Sequence, residues 1–205
     1  WNSEGQYALF SDVKNDTLYR DIWESGEGTP CRKPSFNSNG NSFDYQGRQL
    51  TCQDFFRRVI RWEIDGSMTV LADNFEGKPF NSPNDLAPHK DGSVWFTDPI
   101  YGGVLAEGHP DDGDGPFNPG GFRDPHIGNT GVGLSGGMHQ ILPANVYRWD
   151  PSGKVEIVLP FETGLLPNGI CLSPDCGKVY IIRGGGIFVA DVRDRGIANL
   201  RLFTR

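Results

Sequence analysis

The sequence lacks any long run of apolar residues. No window approaches the roughly 18 apolar residues of a membrane-spanning helix, and no signal peptide is visible at its start. We therefore expect a soluble protein, cytoplasmic or periplasmic, with no membrane contact. The chain opens on Trp1, inside what reads as a structural unit, so the sequence does not fix the compartment.

Basic residues and paired cysteines are also scarce. Lys and Arg number 19 against 26 Asp and Glu, which gives a formal net charge of −7. Because phosphate contacts from Lys and Arg dominate affinity for nucleic acid, this acidic chain is a poor candidate for binding it. The four cysteines show neither a C-x-x-C pair nor metal-ligand spacing, so we interpret them as buried or incidental thiols, with a disulfide left open.

Turns and short strands are what the chain has in abundance. The 28 glycines and 15 prolines are typical of sandwiches, barrels and propellers, and no long stretch has a 3.6-residue period. β-Branched or aromatic runs follow Gly5, Gly47, Gly92 and Gly177, which are 42, 45 and 85 residues apart. A period of about 40–45 residues with several strands in each unit predicts propeller blades. The last interval fits two units or one unit with an insertion.

One asparagine recurs at the same place in three of these units. Asn39, Asn84 and Asn168 each lie 7 residues before the turn that leads to the next strand. The innermost strands of a propeller line a central channel, so equivalent residues converge on one axis. Ca²⁺ accepts amide oxygens together with carboxylates, and a ring of asparagines with one or two acids would suit it. Asparagine also caps turns, so a purely structural role stays open.

The segments that carry these asparagines resemble a known family. NSPNDL with DGSVWFTDPIYG, LPNGICLSPDCGKVYI and SNGNSFDYQGRQLTCQD are similar to the gluconolactonase family that includes regucalcin (senescence marker protein). The resemblance covers nearly the whole chain. It implies an all-β fold, a six-bladed β-propeller, with a divalent cation, usually Ca²⁺, on its axis. At roughly 45 residues per blade, we expect residues 1–205 to form about four blades of a single partial propeller domain.

The resemblance also implies the ligands of the cation. By position in the motifs, Asn84 and Asn168 correspond to metal ligands, and Asp85 is expected to support the loop or a second cation. Two acidic ligands are expected outside the chain, a Glu just upstream of Trp1 and an Asp beyond Arg205. All-oxygen ligation favours Ca²⁺, although Zn²⁺ or Mg²⁺ stays possible.

The activity that the resemblance implies is lactone hydrolysis. The cation would polarise the carbonyl group of a sugar lactone such as gluconolactone, and activated water would attack it. Within this chain Asp98 is the candidate catalytic carboxylate, with capping of the turn before Pro99 as the alternative. Asn39 and Tyr101 are candidates for substrate binding, and a glycine-rich insertion at about 102–142 is a candidate lid over the channel mouth.

Other functions stay open. The related diisopropyl-fluorophosphatases and paraoxonases suggest organophosphate hydrolysis, and a non-catalytic binding module with a structural cation is a further alternative. Two motif-like segments in the insertion are interpreted as coincidental. Asp111–Gly115 lacks the bidentate Glu of an EF-hand, and Gly133–Gly137 lacks the strand and helix that flank a nucleophile elbow. The sequence predicts neither the particular lactone nor the oligomeric state.

Overall fold

The computed structural model describes residues 1–2, 5–13, 15–99 and 141–205, and all regular structure in that part of the chain is β. The first sheet consists of β1 (Tyr7–Asp12), β2 (Thr17–Ile22) and β3 (Glu27–Arg32). The second consists of β4 (Ser38–Phe43), β5 (Gln49–Gln53), β6 (Arg58–Trp62) and β7 (Met68–Ala72). A short hairpin, β8 (Asn74–Phe75) and β9 (Lys78–Pro79), follows.

Two more sheets complete the described chain. The third consists of β10 (Leu86–Pro88), β11 (Val94–Thr97), β12 (Val146–Trp149) and β13 (Val155–Leu159). The fourth consists of β14 (Pro167–Leu172), β15 (Lys178–Arg183), β16 (Gly186–Arg193) and β17 (Gly196–Thr204). In every sheet the strands neighbour one another in chain order and pair antiparallel. No helix suited to crossing a membrane is found among the described residues.

The sheets are arranged as the blades of a propeller. In the second, third and fourth sheets the first strand is the inner one, and β10 packs beside both β4 and β14. The first sheet packs against β4 through β1, and Asn2 forms an isolated antiparallel bridge with Tyr7 of that strand. The prediction of an all-β propeller with about four blades in this chain is confirmed. The long interval between Gly92 and Gly177 is one blade with an insertion between β11 and β12.

Apolar side chains fill the spaces between neighbouring blades. Phe80, Phe96 and Tyr147 are fully buried and pack with ring centroids 5.2 to 5.5 Å apart, joined by Leu50 and Val59 of the second blade. A second cluster of buried residues joins the third and fourth blades. Since aromatic pairs of this geometry add to the burial of apolar area, these contacts fix the position of each blade relative to the next.

Three of the described aspartates cap turns between strands. Hydrogen bonds from a serine hydroxyl and from a backbone amide hold the pKa of Asp65, Asp150 and Asp175 below its usual value. These carboxylates cap hairpins, so their charge serves turn geometry. Gly92 takes the left-handed backbone of its turn at φ 87°, whereas in the fourth blade Cys176 takes it at φ 58°. All four cysteines are free thiols, so the disulfide that the sequence left open is not formed.

Candidate functional site

The three aligned asparagines occupy equivalent places at the entrance to the inner strands. Asn39 lies in a bulge of β4 between the paired residues Ser38 and Asn41. Asn168 lies in the same kind of bulge, between Pro167 and Ile170 of β14.

Asn84 lies two residues before β10. β-Bulges often lie beside functional sites because they re-aim a side chain out of the regular alternation. The 7-residue spacing in the sequence therefore reflects a shared position in the blades.

Hydrogen bonds of its backbone hold Asn84 in place. Its amide donates to the carbonyl oxygen of Thr97 at 2.9 Å, and its own carbonyl oxygen accepts from the amide of Gly40 at 2.7 Å. The residue is 8 % exposed, yet its side-chain amide makes no hydrogen bond within the described residues. A side-chain amide that makes no hydrogen bond to the described residues is suited to binding a ligand.

Asn168, on the fourth blade, is also held through its backbone. Its carbonyl oxygen accepts a hydrogen bond of 2.6 Å from the hydroxyl of Thr97. Its side chain is exposed and has no hydrogen-bond partner in the described part of the chain. Thr97, which is fully buried, therefore forms a hydrogen bond with the backbone of each predicted metal ligand.

Asn39 differs from the other two asparagines. Its side-chain nitrogen donates to the carboxylate of Asp54 at 3.3 Å. Its carbonyl oxygen accepts from the Ser11 hydroxyl and from the side-chain nitrogen of Asn41, both at 2.8 Å. The structure places Asn39 in a side-chain network of the first two blades, and its predicted contact with the substrate stays a prediction.

Asp85 lies where the second, third and fourth blades meet. Its Oδ2 accepts from the amide of Ile170 at 2.9 Å, and its Oδ1 accepts from the amide of Leu86 at 2.9 Å. A β-carbon added at Gly40 would lie 2.5 Å from Oδ1 and 2.7 Å from the Asn84 carbonyl oxygen, so only glycine fits there. Burial raises the pKa of Asp85 above its usual value, and the Ile170 and Leu86 amides oppose that shift.

Asp98 is fully buried and holds the loop that precedes Asn84. Its two carboxylate oxygens accept from the amides of Asn81 at 2.9 Å and Ser82 at 2.7 Å. Burial raises the pKa of Asp98 to about 7, although these amides and the guanidinium of Arg57 oppose the shift. The geometry favours the capping alternative, at residues 81–82 rather than at the turn before Pro99. The predicted catalytic role stays untested.

Asn81 binds the backbone of the segment that leads into β12 of the third blade. Its Oδ1 accepts from the amides of Ile141 at 2.8 Å and Leu142 at 3.1 Å, and its Nδ2 donates to the carbonyl oxygen of Leu142 at 2.8 Å. No role is predicted for Asn81 from the sequence, since its partners lie 60 and 61 residues away. Tyr101 and most of the 102–142 insertion lie outside the described residues.

Two cavities meet at Asp85. One, of about 440 Å³, follows the inner strands and is lined by Asn41, Phe43, Ala87 and Cys171 among others. The second, of about 340 Å³, lies beside the fourth blade and is mainly apolar, with Ile182 and Phe203 in its wall. Asp85 thus lines both cavities.

The residues in place fit part of a calcium site. In the described ranges, no three His, Cys, Asp or Glu side chains are grouped to hold a metal ion. The predicted ligands present, Asn84 and Asn168, are neutral oxygen donors without other side-chain bonds there. Ca²⁺ takes six to eight oxygen ligands and accepts amides among them. The two neutral amides fit such a set of ligands, in which other groups would supply the negative charge.

The four antiparallel blades around a common axis define a protein of the β-propeller class. Within that class, the chain belongs to the SMP-30/Gluconolactonase/LRE-like family, whose model matches residues 1–205.

Comparisons with individual proteins agree with this family. The chain is 27 % identical to a gluconolactonase of Zymomonas mobilis, over 100 % of the chain and 54 % of that protein. It is 26 % identical to a gluconolactonase of Xanthomonas campestris of solved structure, with a TM-score of 0.76, over 99 % of the chain and 60 % of that structure. The chain thus spans little more than half the length of these relatives.

A more distant likeness concerns the fold alone. The structure of regucalcin from Agrobacterium tumefaciens, a calcium-binding protein, aligns with a TM-score of 0.62 at 16 % identity. The alignment covers 98 % of this chain and 56 % of that structure.

Proposed function

We propose that this protein hydrolyses a sugar lactone such as gluconolactone at the channel mouth formed by the asparagine-bearing segments. The observation that carries the proposal is the pair Asn84 and Asn168. Both stand at the same place in neighbouring blades, and both have side-chain amides without a hydrogen-bond partner in the described residues. Membership in the family and the likeness to two gluconolactonases support the choice of substrate class.

Asn84 and Asn168 would hold a divalent cation, with Ca²⁺ favoured over Zn²⁺ or Mg²⁺ because the donors are hard oxygens. When bound, Ca²⁺ supplies a Lewis acid that polarises the carbonyl group of a lactone. The amides contribute oxygen donors without charge, so we propose that other residues supply the acidic ligands. The remaining residues position this pair, since Thr97 holds both backbones and Asp85 holds the amide of Ile170 beside Asn168.

The test is hydrolysis of glucono-1,5-lactone by the intact protein, followed as acid release at constant pH. We expect activity that EDTA abolishes and Ca²⁺ restores. Asn168→Ala should lower kcat/KM by roughly 100-fold or more, since even outer partners of metal ligands are worth 10–100-fold. Asn74→Ala is the matched control, because Asn74 is exposed in the β8–β9 hairpin. Activity that survives both EDTA and Asn168→Ala would overturn the proposal. A phosphotriester assayed in parallel tests the organophosphate alternative.

A further inference from the structure

Thr97 contacts both asparagine-bearing segments at once. It ends β11 and is fully buried. Its carbonyl oxygen accepts from the amide of Asn84 at 2.9 Å, and its own amide donates to the carbonyl oxygen of Asp85 at 3.0 Å. Its hydroxyl accepts from the amide of Asp85 at 3.2 Å and donates to the carbonyl oxygen of Asn168 at 2.6 Å. One hydroxyl therefore connects the third blade to the fourth.

Asp85 makes a second connection in the same direction. Its Oδ2 accepts from the amide of Ile170 at 2.9 Å. Thr97 and Asp85 thus hold the carbonyl oxygen of Asn168 and the amide two residues later. These two groups bracket the bulge of β14 that carries the Asn168 side chain. A bulge leaves backbone groups unpaired by the neighbouring strand, so its shape depends on bonds from elsewhere.

The second and fourth blades have no hydroxyl at the place of Thr97. In the third blade, Thr97 lies opposite the segment of Asn84 in the strand register. The residue at the same place is Cys52 in the second blade, opposite the Asn39 bulge, and Ile182 in the fourth, opposite the Asn168 bulge. Isoleucine has no polar hydrogen, and a thiol is only a weak donor. Threonine suits β-strands for other reasons, but a hydroxyl contact of this kind also occurs between the first and second blades, where Ser11 donates to the carbonyl oxygen of Asn39 at 2.8 Å.

We propose that Thr97 and Asp85 form a cross-blade clamp that sets the position of Asn168 relative to Asn84, which makes Thr97 a positioning residue of the lactone site. Its effect on cation binding and catalysis rests on the proposed function. The clamp itself does not, because its two hydrogen bonds join backbone and side chains of this chain alone.

Thr97→Val tests the clamp because valine keeps the shape of threonine and lacks the hydroxyl. Thr97→Ser keeps the hydroxyl and is the rescue variant. Thr17→Val is the matched control, since Thr17 is 1 % exposed and its hydroxyl donates to the carbonyl oxygen of Asn15 at 2.9 Å in the first blade. If Thr97→Val fails to fold, Thr97→Cys takes its place, because cysteine stands at that position in the second blade.

The first readout is amide hydrogen exchange of residues 167–172 in intact protein without added metal. We expect at least roughly tenfold faster exchange in Thr97→Val, from loss of the bond that brackets the bulge. Thr97→Ser and Thr17→Val should match the wild type in this segment. Unchanged exchange in Thr97→Val, or an equal change in Thr17→Val, would refute the clamp.

The second readout is calorimetric titration with Ca²⁺. Thr97→Val should weaken Ca²⁺ binding by about 10–100-fold, and kcat for the lactone should fall more than KM changes. Thr97→Ser should restore both. Wild-type affinity in Thr97→Val would overturn the positioning role. A wild type that binds no Ca²⁺ and hydrolyses no lactone would contradict the proposed function, and the exchange experiment would still decide on the clamp.

Discussion

Removing the side chain of Asn81 should destabilise the protein strongly, although Asn81 is not a predicted ligand. The residue is 3 % exposed, and Asn81→Ala deletes its bonds to the amides of Ile141 and Leu142 and to the carbonyl oxygens of Leu142 and Asp98. Each buried group left without a partner costs about 1–3 kcal/mol. The four groups all surround one side chain and one water molecule can rejoin some of them, so their costs do not add fully.

We therefore expect Asn81→Ala to lower the free energy of unfolding by about 2–4 kcal/mol. For a domain of this size, about 3 kcal/mol corresponds to a fall in Tm of roughly 6–12 °C. Urea unfolding and a thermal scan measure both quantities, with Asn74→Ala as the exposed control, whose hydrogen bonds to Gly77 and Asp73 are at the surface and whose loss should cost no more than about 1 kcal/mol. A loss below about 0.5 kcal/mol for Asn81→Ala would show that these hydrogen bonds do not hold the third blade together.

Two further predictions concern the same region. Gly40→Ala places a β-carbon 2.5 Å from Asp85 Oδ1 and should lower the free energy of unfolding by about 1–3 kcal/mol or more. Gly28→Ala is the control, because no atom lies within 4 Å of its added β-carbon, and it should not have this effect. Equal urea midpoints for the two variants would contradict this packing. Asp98 has its pKa raised to about 7, above its value of about 3.9 in an unfolded chain, so the native state retains a proton between these values. The stability from this group should therefore be fully present below pH 4 and decline as pH rises to about 7. Asp98→Asn should remove that dependence, and identical slopes of unfolding free energy against pH in both proteins would refute it.

The blades were predictable from the sequence because their signals are local. Turns with glycine or aspartate separate runs of β-branched and aromatic residues, and β6 at Arg58–Trp62 and β13 at Val155–Leu159 begin and end where those runs do. The repeat of the asparagines was also readable, since equivalent residues keep the same distance from the turn. The left-handed Cys176 was not expected, because glycine follows it at the next position.

The connections between blades could not be read from the sequence. Thr97 meets Asn168 across 71 residues, and Asn81 meets Leu142 across 61. No short-range pattern marks such pairs, and threonine at the end of a strand is what β-propensity alone would select. Asp98 shows the same limit, since it caps a loop 16 and 17 residues upstream instead of the turn that follows it.

Kinetics of a double variant would test most directly the claim that Asn84 and Asn168 serve one lactone site. The measurement is kcat/KM for glucono-1,5-lactone in intact Asn84→Ala, Asn168→Ala and the double variant, with Ca²⁺ present. Residues that act as a unit show strongly non-additive losses. We predict that each single change lowers kcat/KM by roughly 100-fold or more and that the double variant loses little beyond the worse single one. Losses that multiply, or activity retained in either single variant, would contradict the account.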